Sequence, residues 1–426
     1  MKTFQPMNWK KLQLAEVCDL QGGFAFKSKD FTQRGIPLVK ISNIKNLDIV
    51  MDNCVYVDSV KEQFLVSEGD ILIAMSGATT GKIGRYTLDK PAALNQRVGA
   101  FKPHQKLSSD YLFYVLQQDR IVSEWLKDAI GGAQPNINPA NVLDVEVLLP
   151  SMEEQQKIAE ILSTVDKKID LIDQKIAETE KLKTGLMQKL FSEGVGVQDE
   201  NGNWQPHTEF QDSPFGKIPK CWSVETLGEH TIKVGSGVTP KGGSKAYVDT
   251  GIPLIRSQNV LFGKFKLDDV AFITEQQHEK MKGSQLQPKD VLLNITGASI
   301  GRCAVLPADF EEGNVNQHVC IIRMSQAITP EFCGWFLNSN LGQKQIWNLQ
   351  AGGNREGLNF QQIRSFRIPV LTVEEQCSIV DILSTVSDKL NLLEQQKVET
   401  QQLKKGLMQK LLTGEWRVPV EETEAA

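Results

Sequence analysis

The sequence predicts an α+β chain built twice over. Two similar mixed α/β domains are separated by two long helices, which pair as an antiparallel coiled coil within a pseudo-twofold internal repeat. Three observations lead there. Residues 151–191 return at 372–412, with 22 of the 41 aligned positions identical and no gap. Both copies carry an apolar period of 3.5 residues over several heptads. Ahead of each copy, strand-like stretches and glycine turns follow in the same order.

The first half opens at Trp9. Residues 21–31, QGGFAFKSKDF, read as a polar loop bearing aromatics with Lys27 and Lys29. Residues 35–44, GIPLVKISNI, alternate and are rich in Val and Ile, a strand signature. Residues 69–88 read as two strands joined by a glycine-rich turn at 77–81. Residues 94–103 form a further strand. Residues 109–130 have helical periodicity, with Leu112, Val115 and Trp125 among the apolar positions. A loop at 131–142 and a strand ending at Pro150 lead into the first long helix.

The second half repeats that order with other residues. Trp222 answers Trp9, and Gly251-Ile252-Pro253-Leu254 answers Gly35-Ile36-Pro37-Leu38. Asp290, Gly297, Ala298 and Gly301 answer Asp70, Gly77, Ala78 and Gly81. Asn316-Gln317 answers Asn95-Gln96, and Leu358-Asn359 answers Ile137-Asn138. The shared residues look like scaffold, while the loops between them differ. The expected boundaries are a first domain at 1–150, a helix at 151–193, a polar linker at 194–216, a second domain at 217–371, a helix at 372–415 and a tail at 416–426.

Each long helix needs a partner for its apolar stripe. In the first, the stripe is Ile158, Leu162, Val165, Ile169, Ile172, Ile176, Leu186 and Leu190. In the second it is Ile379, Leu383, Val386, Leu390, Leu393, Leu407 and Leu411, with breaks at Lys397, Thr400 and Lys404. Forty helical residues reach roughly 60 Å at 1.5 Å each, too long to bury such a stripe against itself. The other copy is the expected partner; two helices each packed on its own domain are the alternative.

Composition narrows the function classes. No apolar run approaches the roughly 18–20 residues that span a bilayer. The start of the chain has no apolar signal-peptide core, and seven cysteines stand without a CxxC pair, so a reducing cytoplasm is expected. The net charge of −5 is unevenly placed: residues 1–150 carry +1 and 217–371 carry +4, whereas 151–216 carry −6 and 372–426 carry −4. The acid lies in the helices and tails, which leaves the two domains free to meet an acidic partner.

Catalytic signatures fail in turn. SGATTGKIG (76–84) has three residues where a phosphate-binding loop has four, and no Ser or Thr follows Lys82. GSGVTP (235–240) lacks the third glycine of a dinucleotide fingerprint. The five histidines form no HxxxH or His/Cys cluster, so no metal site is expected. The chain does not read as an enzyme or as a carrier of a cofactor of its own.

The helical repeats carry a resemblance. Glu-Glu-Gln stands at 153–155 and 374–376, Ile-Leu-Ser-Thr-Val at 161–165 and 382–386, and Gly-Leu-Met-Gln-Lys-Leu at 185–190 and 406–411. Pro150 precedes the first copy; the second has Leu371 there, with Pro369 two residues earlier. These doubled motifs and the ending LLTGEWRV (411–418) resemble the specificity subunits of type I restriction–modification systems, the HsdS family. The resemblance covers nearly the whole chain.

That resemblance implies a division of labour. Each domain is expected to be a target recognition domain reading half of a split, asymmetric site in double-stranded DNA. The helices are expected to set the spacer and to dock two methylation subunits, which would bind S-adenosylmethionine and methylate adenine. A restriction and translocase subunit would complete the complex. Base edges favour Arg, Lys, Asn and Gln, and phosphates favour Lys, Arg, Ser and Thr. The expected DNA contacts are therefore Lys27, Ser28, Lys29, Lys40, Asn43, Lys82, Arg85 and Arg97 in the first domain. In the second they are Lys241, Lys245, Arg256, Gln258, Asn259, Arg302, His318 and Arg355. Asn43 and Asn259 recur in both halves, so they also fit a turn anchor. A non-enzymatic coiled-coil scaffold, or a DNA-binding protein, that assembles a different defence complex is the alternative reading.

Overall fold

A computed structural model of the chain describes residues 8–127, 136–240, 242–350 and 357–419. It divides into two compact units, one made of Met1–Gln174 with Gln395–Ala426, the other of Lys175–Glu394. Neither unit is a sequence half. The first long helix, Met152–Glu193, begins in unit 1 and ends in unit 2; the second, Val373–Leu411, does the reverse.

Unit 1 is built on a six-stranded sheet in the order Cys18–Gly22, Val98–Pro103, Ile71–Ala74, Ile83–Arg85, Leu47–Ile49, Ile44–Lys45. Strand alternation places its residues in two different cores. Ile71, Ile73 and Phe101 face the helices Ser109–Val115 and Asp119–Lys127, together with Ile158 and Leu162 of the first long helix and Leu411 and Leu412 closing the second. Leu72, Ala74, Val98 and Ala100 face the other way, onto Val39, Ile44, Tyr86 and Leu94. Trp125 is fully buried, and its indole N–H donates to Val142 O at 3.0 Å, which removes the cost of burying that polar group. A smaller sheet runs Tyr56–Val57, Ile36–Val39, Ala92–Leu94, Leu65–Val66. An antiparallel ribbon of Lys10–Gln13 with Glu146–Leu149 gathers the ends of the domain at the root of the first long helix.

Unit 2 repeats this plan. Its main sheet runs Thr231–Ser236, Val319–Met324, Val291–Asn294, Cys303–Val305. Its smaller sheet runs Ala271–Ile273, Ile252–Ile255, Asn314–Val315. Its ribbon pairs Ser223–Thr226 with Arg367–Val370. The same alternation holds, with Val291, Leu293, Cys320 and Ile322 in one core and Leu292, Val319 and Ile321 in the other.

Two sequence expectations are corrected. The single helix expected over 109–130 is two, Ser109–Val115 and Asp119–Lys127. Gln118 O accepts from the N–H of both Ile121 and Val122, restarting the helix so that Val115, Ile121 and Trp125 all reach one core. The polar linker at 194–216 is folded: Val197–Gln198 pairs with Trp204–Gln205, and Phe210–Ser213 pairs with Gly216–Pro219. Val195, Phe215 and Ile218 join the core of unit 2. Of the loop expected at 131–142, residues 131–135 lie outside the described residues, and from Pro139 the chain is helical, Pro139–Leu143.

Along the long helices, Ile158, Leu162, Ile172, Leu190, Ile379, Leu383, Leu390, Leu393 and Leu411 are buried. Val165, Ile169, Ile176, Leu186, Val386 and Leu407 are half-buried. Thr179 and Thr400 occupy equivalent buried places, and each hydroxyl donates to the carbonyl four residues earlier, at 2.6 and 2.7 Å. Within unit 1, Lys404 pairs with Asp166 and Lys397 with Asp173, both at 2.6 Å. Within unit 2, Lys183 Nζ donates to Ser387 Oγ at 3.1 Å. In unit 1 the partner earlier on one helix goes with the partner later on the other, so its two segments run antiparallel.

A second repeat roots each helix. Trp9 Nε1 donates to Glu154 Oε2 at 3.1 Å, and Trp222 Nε1 donates to Glu375 Oε2 at 2.9 Å. Gln155 Nε2 donates to Pro150 O and Lys106 O; Gln376 Nε2 donates to Leu371 O and Ala327 O. These buried side chains explain why Glu-Gln recurs at 154–155 and 375–376: each pair closes a domain onto its helix. Among the described residues no helix is long and apolar enough to cross a membrane.

Candidate nucleic-acid interface

In unit 1 a ladder of backbone hydrogen bonds ties four connecting segments side by side. Phe24 N donates to Leu94 O at 2.8 Å, and Gln96 N to Phe24 O at 2.9 Å. Met75 N donates to Arg97 O at 2.9 Å, and Ile137 N to Met75 O at 2.8 Å. Ala74 N donates to Lys82 O at 2.9 Å. Unit 2 makes three of these bonds at matching places, Ile295 N to His318 O at 3.0 Å, Leu358 N to Ile295 O at 2.9 Å and Asn294 N to Arg302 O at 2.9 Å, and ties in its first segment one residue along, through Gly237 N to Asn316 O at 3.1 Å. Close approach explains a glycine at one rung. A Cβ on Gly23 would stand 2.2 Å from Asn95 O, and one on Gly237 would stand 1.6 Å from Val315 O.

The shared backbone presents different side chains. Ser76, Lys82, Arg97 and Asn136 in unit 1 stand where unit 2 has Thr296, Arg302, His318 and Gly357. Gln96 and Gln317 are the same residue at the same place, and both are exposed. In unit 1 this rim borders a cleft of about 510 Å³ lined by Ser76, Gln96, Arg97, Asn136 and Asn138. In unit 2 the rim is an edge of linked polar groups. Thr239 Oγ1 donates to Gln317, the Gln317 amide lies 3.1 Å from His318 Nε2, and His318 Nδ1 lies 2.6 Å from Thr296 Oγ1. Such rims offer amides and cations at fixed spacing, which suits base edges and phosphates.

The expected DNA residues fall into three groups. Lys27, Ser28, Lys29, Lys82 and Arg97 are exposed in unit 1, and Lys245 is exposed in unit 2. The short turn Ser28–Asp30 is held by Lys27 N donating to Asp30 Oδ2 at 2.8 Å. Arg302 and His318 are half-buried on the rim. The ladder sets Lys82 and Arg97 on the two flanks of the Ala74–Met75 segment, and Arg302 and His318 on the two flanks of Asn294–Ile295.

A second group is engaged within the fold. Asn43 and Asn259 are buried: their Oδ1 atoms accept from Lys40 N at 2.8 Å and Arg256 N at 3.0 Å, and their amides donate to backbone carbonyls. Both hold their turns from buried positions, the anchor role that their recurrence in both halves also fits. Arg85 is drawn in as well, 2.6 Å from Asp110 and with its guanidinium 4.4 Å from the centre of the Phe113 ring. Lys40 lies over the Phe31 ring at 4.3 Å. Arg256 and Gln258 both donate to Asp269, at 2.7 Å and 2.6 Å. The third group, Lys241 and Arg355, lies outside the described residues.

Sequence reasoning missed Gln96 and Gln317, because Asn-Gln recurs in both halves and reads as scaffold. The structure separates the pair. Asn95 and Asn316 turn inward, their Oδ1 atoms accepting from Arg97 N and His318 N at 3.3 and 3.0 Å, while the glutamines face water. Among the described residues one trio could hold a metal ion, Glu225, Glu229 and His230, with ligand atoms within 4.8 Å of one another. A search for His/Cys spacing passes over it because two of its members are carboxylates. His230 Nε2 is already 2.7 Å from Glu225 Oε2, and the Ser223 hydroxyl, then that contact, hold the Glu225 carboxyl below its usual range.

Known proteins share this chain's sequence and plan. The family model described as type I restriction modification DNA specificity domain matches residues 6–181 and 219–402. The MjaVIII type I restriction enzyme specificity subunit of Methanocaldococcus jannaschii is 27% identical over 408 residues, covering 94% of this chain and 88% of that protein. The EcoBI specificity subunit of Escherichia coli is 25% identical over 389 residues, covering 88% and 78%. The crystal structure of the type I restriction–modification S subunit from M. genitalium superimposes with a TM-score of 0.60 at 19% identity, covering 97% of this chain and 98% of that one.

Proposed function

The chain belongs to the type I restriction–modification DNA specificity family, and from that premise we propose that each unit reads one half of a bipartite, asymmetric site in double-stranded DNA. One observation carries this reading: a single backbone ladder, built twice, presents divergent side chains at Ser76/Thr296, Lys82/Arg302 and Arg97/His318. One scaffold with two sets of rim residues suits two related but unequal recognition tasks. The readers are the target recognition domains at 1–150 and 217–371. Their contacts come from Lys27, Ser28, Lys29, Lys82, Gln96 and Arg97 on one side and Lys245, Arg302, Gln317 and His318 on the other.

The long helices at 151–193 and 372–415 form an antiparallel pair that sets the spacer between the half-sites. Supporting this are the antiparallel ion pairs of unit 1, the Lys183–Ser387 contact of unit 2 and the apolar stripe. The helices also dock two methylation subunits, one per unit. Leucines at equivalent places stay exposed: Leu171 and Leu403 in unit 1 at 56% and 53%, Leu392 and Leu182 in unit 2 at 55% and 54%. Exposed leucines repeated in this way mark a contact surface. The docked subunits hold S-adenosylmethionine and methylate adenine, and a restriction and translocase subunit completes the assembly. This chain itself performs no catalysis.

Methylome sequencing of cells carrying the methylation subunit, with and without this chain, tests the reading. A split methylated-adenine motif that appears only with this chain is expected; a motif independent of it refutes the proposal. Inserting one or two helical turns near Ala177 should lengthen the spacer and leave both half-sequences unchanged. Altered half-sequences would refute the spacer role.

A further inference from the structure

Behind the buried Glu375 lies an arrangement that DNA reading does not use. Glu375 Oε1 accepts from Val195 N at 2.9 Å, Gly196 N at 3.0 Å and His207 Nε2 at 2.9 Å. An ionised carboxylate only accepts, so His207 Nε2 carries the hydrogen. The lone pair of the neutral ring is then on Nδ1, and Nδ1 lies 3.7 Å from Cys221 Sγ. The ring cannot easily turn away: its side chain is 4% exposed and stands edge-on to Trp222, ring centres 6.1 Å apart. Cys221 itself is exposed.

A thiol open to water, a base behind it and a buried carboxylate orienting that base is the relation of nucleophile, general base and orienting group. Among the described residues unit 1 has no such relation. Asn8 precedes Trp9 where Cys221 precedes Trp222, and Glu154 Oε1 receives Arg417, which cannot accept a proton. The remaining cysteines differ too. Cys18, Cys303, Cys320 and Cys333 are buried, and among the hydrogen bonds of the described residues it is Cys221 that meets an imidazole.

We infer that Cys221 is a reactive thiol, activated by His207, that exchanges with low-molecular-weight disulfides. Its S–H proton passes to His207 Nδ1 as Sγ attacks one sulfur of the disulfide. A new S–S bond forms, the old one breaks, and the departing thiolate takes the proton back from the imidazolium. Cys221 is oxidised to a mixed disulfide and the leaving sulfur is reduced to a thiol, so the exchange needs no other oxidant. Burial and the Glu375 charge push the Cys221 thiol up, so its resting form is S–H and proton transfer to His207 is required. The charged neighbours Lys220 and Glu209 pair with each other at 3.0 Å. The adduct ends donation to His207 and presses on the hub that roots the second long helix, which makes that hub sensitive to thiol oxidation.

The test is adduct formation by the full-length chain with glutathione disulfide, read by mass spectrometry at Cys221 and at the exposed Cys377. General-base help is expected to make Cys221 at least ~10-fold faster near neutral pH, and His207→Gln, which can still donate to Glu375, should bring it down to the Cys377 rate. Equal rates in the native chain overturn the inference, as does a His207→Gln chain with native melting and an unchanged Cys221 rate. Should that variant melt early, the native pH profile decides. A rate that levels off well below the ordinary thiol range of about 8.5 supports the inference; a rate climbing with pH into that range overturns it.

Discussion

The two units hold their helix segments with different chemistry at equivalent places. Unit 1 has two ion pairs, Asp166 with Lys404 and Asp173 with Lys397. In unit 2, Ser387 stands where Asp166 would be, and Ile176 where Lys397 would be. Lys183, the counterpart of Lys404, is left with a hydroxyl at 3.1 Å and the face of Trp335 at 5.0 Å. Unit 2 therefore holds its helix segments without those two ion pairs; what the two units share is the apolar stripe. The roots differ in the same way. Glu154 receives Trp9 and a guanidinium from the tail, whereas Glu375 receives Trp222, two backbone N–H groups and His207. Equivalent carboxylates are satisfied by whatever segment follows the end of the neighbouring helix.

The largest effect should come from those carboxylates. Glu375→Ala strands four buried donors and is expected to cost unit 2 about 3–5 kcal/mol. Glu154→Ala should cost unit 1 less, because the Arg417 side chain is 43% exposed and can turn to water. Hydrogen exchange read separately on each unit distinguishes the two; an equal loss in both would break the comparison. Next in size, a base contact made by a rim side chain is worth about 1–3 kcal/mol, so Arg97→Ala should weaken binding by that amount and relax one half-site alone. Binding titrations against sites altered in either half measure it.

Smaller effects sharpen the helix comparison. Ser387→Asp should rebuild in unit 2 the pair that unit 1 has, adding about 0.5–1 kcal/mol. Thermal melting at low and high salt checks this, since a new ion pair should fade in salt. Burial, then the nearby Lys264, pushes Lys183 down, with Glu394 opposing. In that range the unfolded state binds more protons than the folded one. Unit 2 should thus gain stability as pH rises through the lowered value toward 10.5. In Ser387→Asp that alkaline gain should shrink; an unchanged slope would separate Lys183 from it.

The helices were the most legible part, because a stripe repeated every seven residues and then copied 221 residues later leaves few alternatives. The paired sheets were legible from turn glycines recurring in one order. Long-range hydrogen bonds were not. Nothing near Val195 or His207 in the chain announces that they bond to Glu375, 180 and 168 residues away, so a folded segment reads as a polar linker. The break at Gln118 was hidden for a similar reason: residues on both sides of it carry apolar side chains at helical spacing. Within the candidate interface, residue type misled where burial decides. Asn43 and Gln96 both look like base readers, yet pairing of their backbones sends one amide inward and the other outward. Arg85 likewise looks available until Asp110 and Phe113 are placed beside it.

The central claim is that two copies of one ladder read two different half-sites. It is tested most directly by giving unit 1 the rim of unit 2, with Ser76→Thr, Lys82→Arg and Arg97→His together, followed by methylome sequencing beside the native chain. The expected result is a motif changed in one half only, with the other half and the spacer intact. A motif unchanged throughout, or changed in both halves at once, would contradict it.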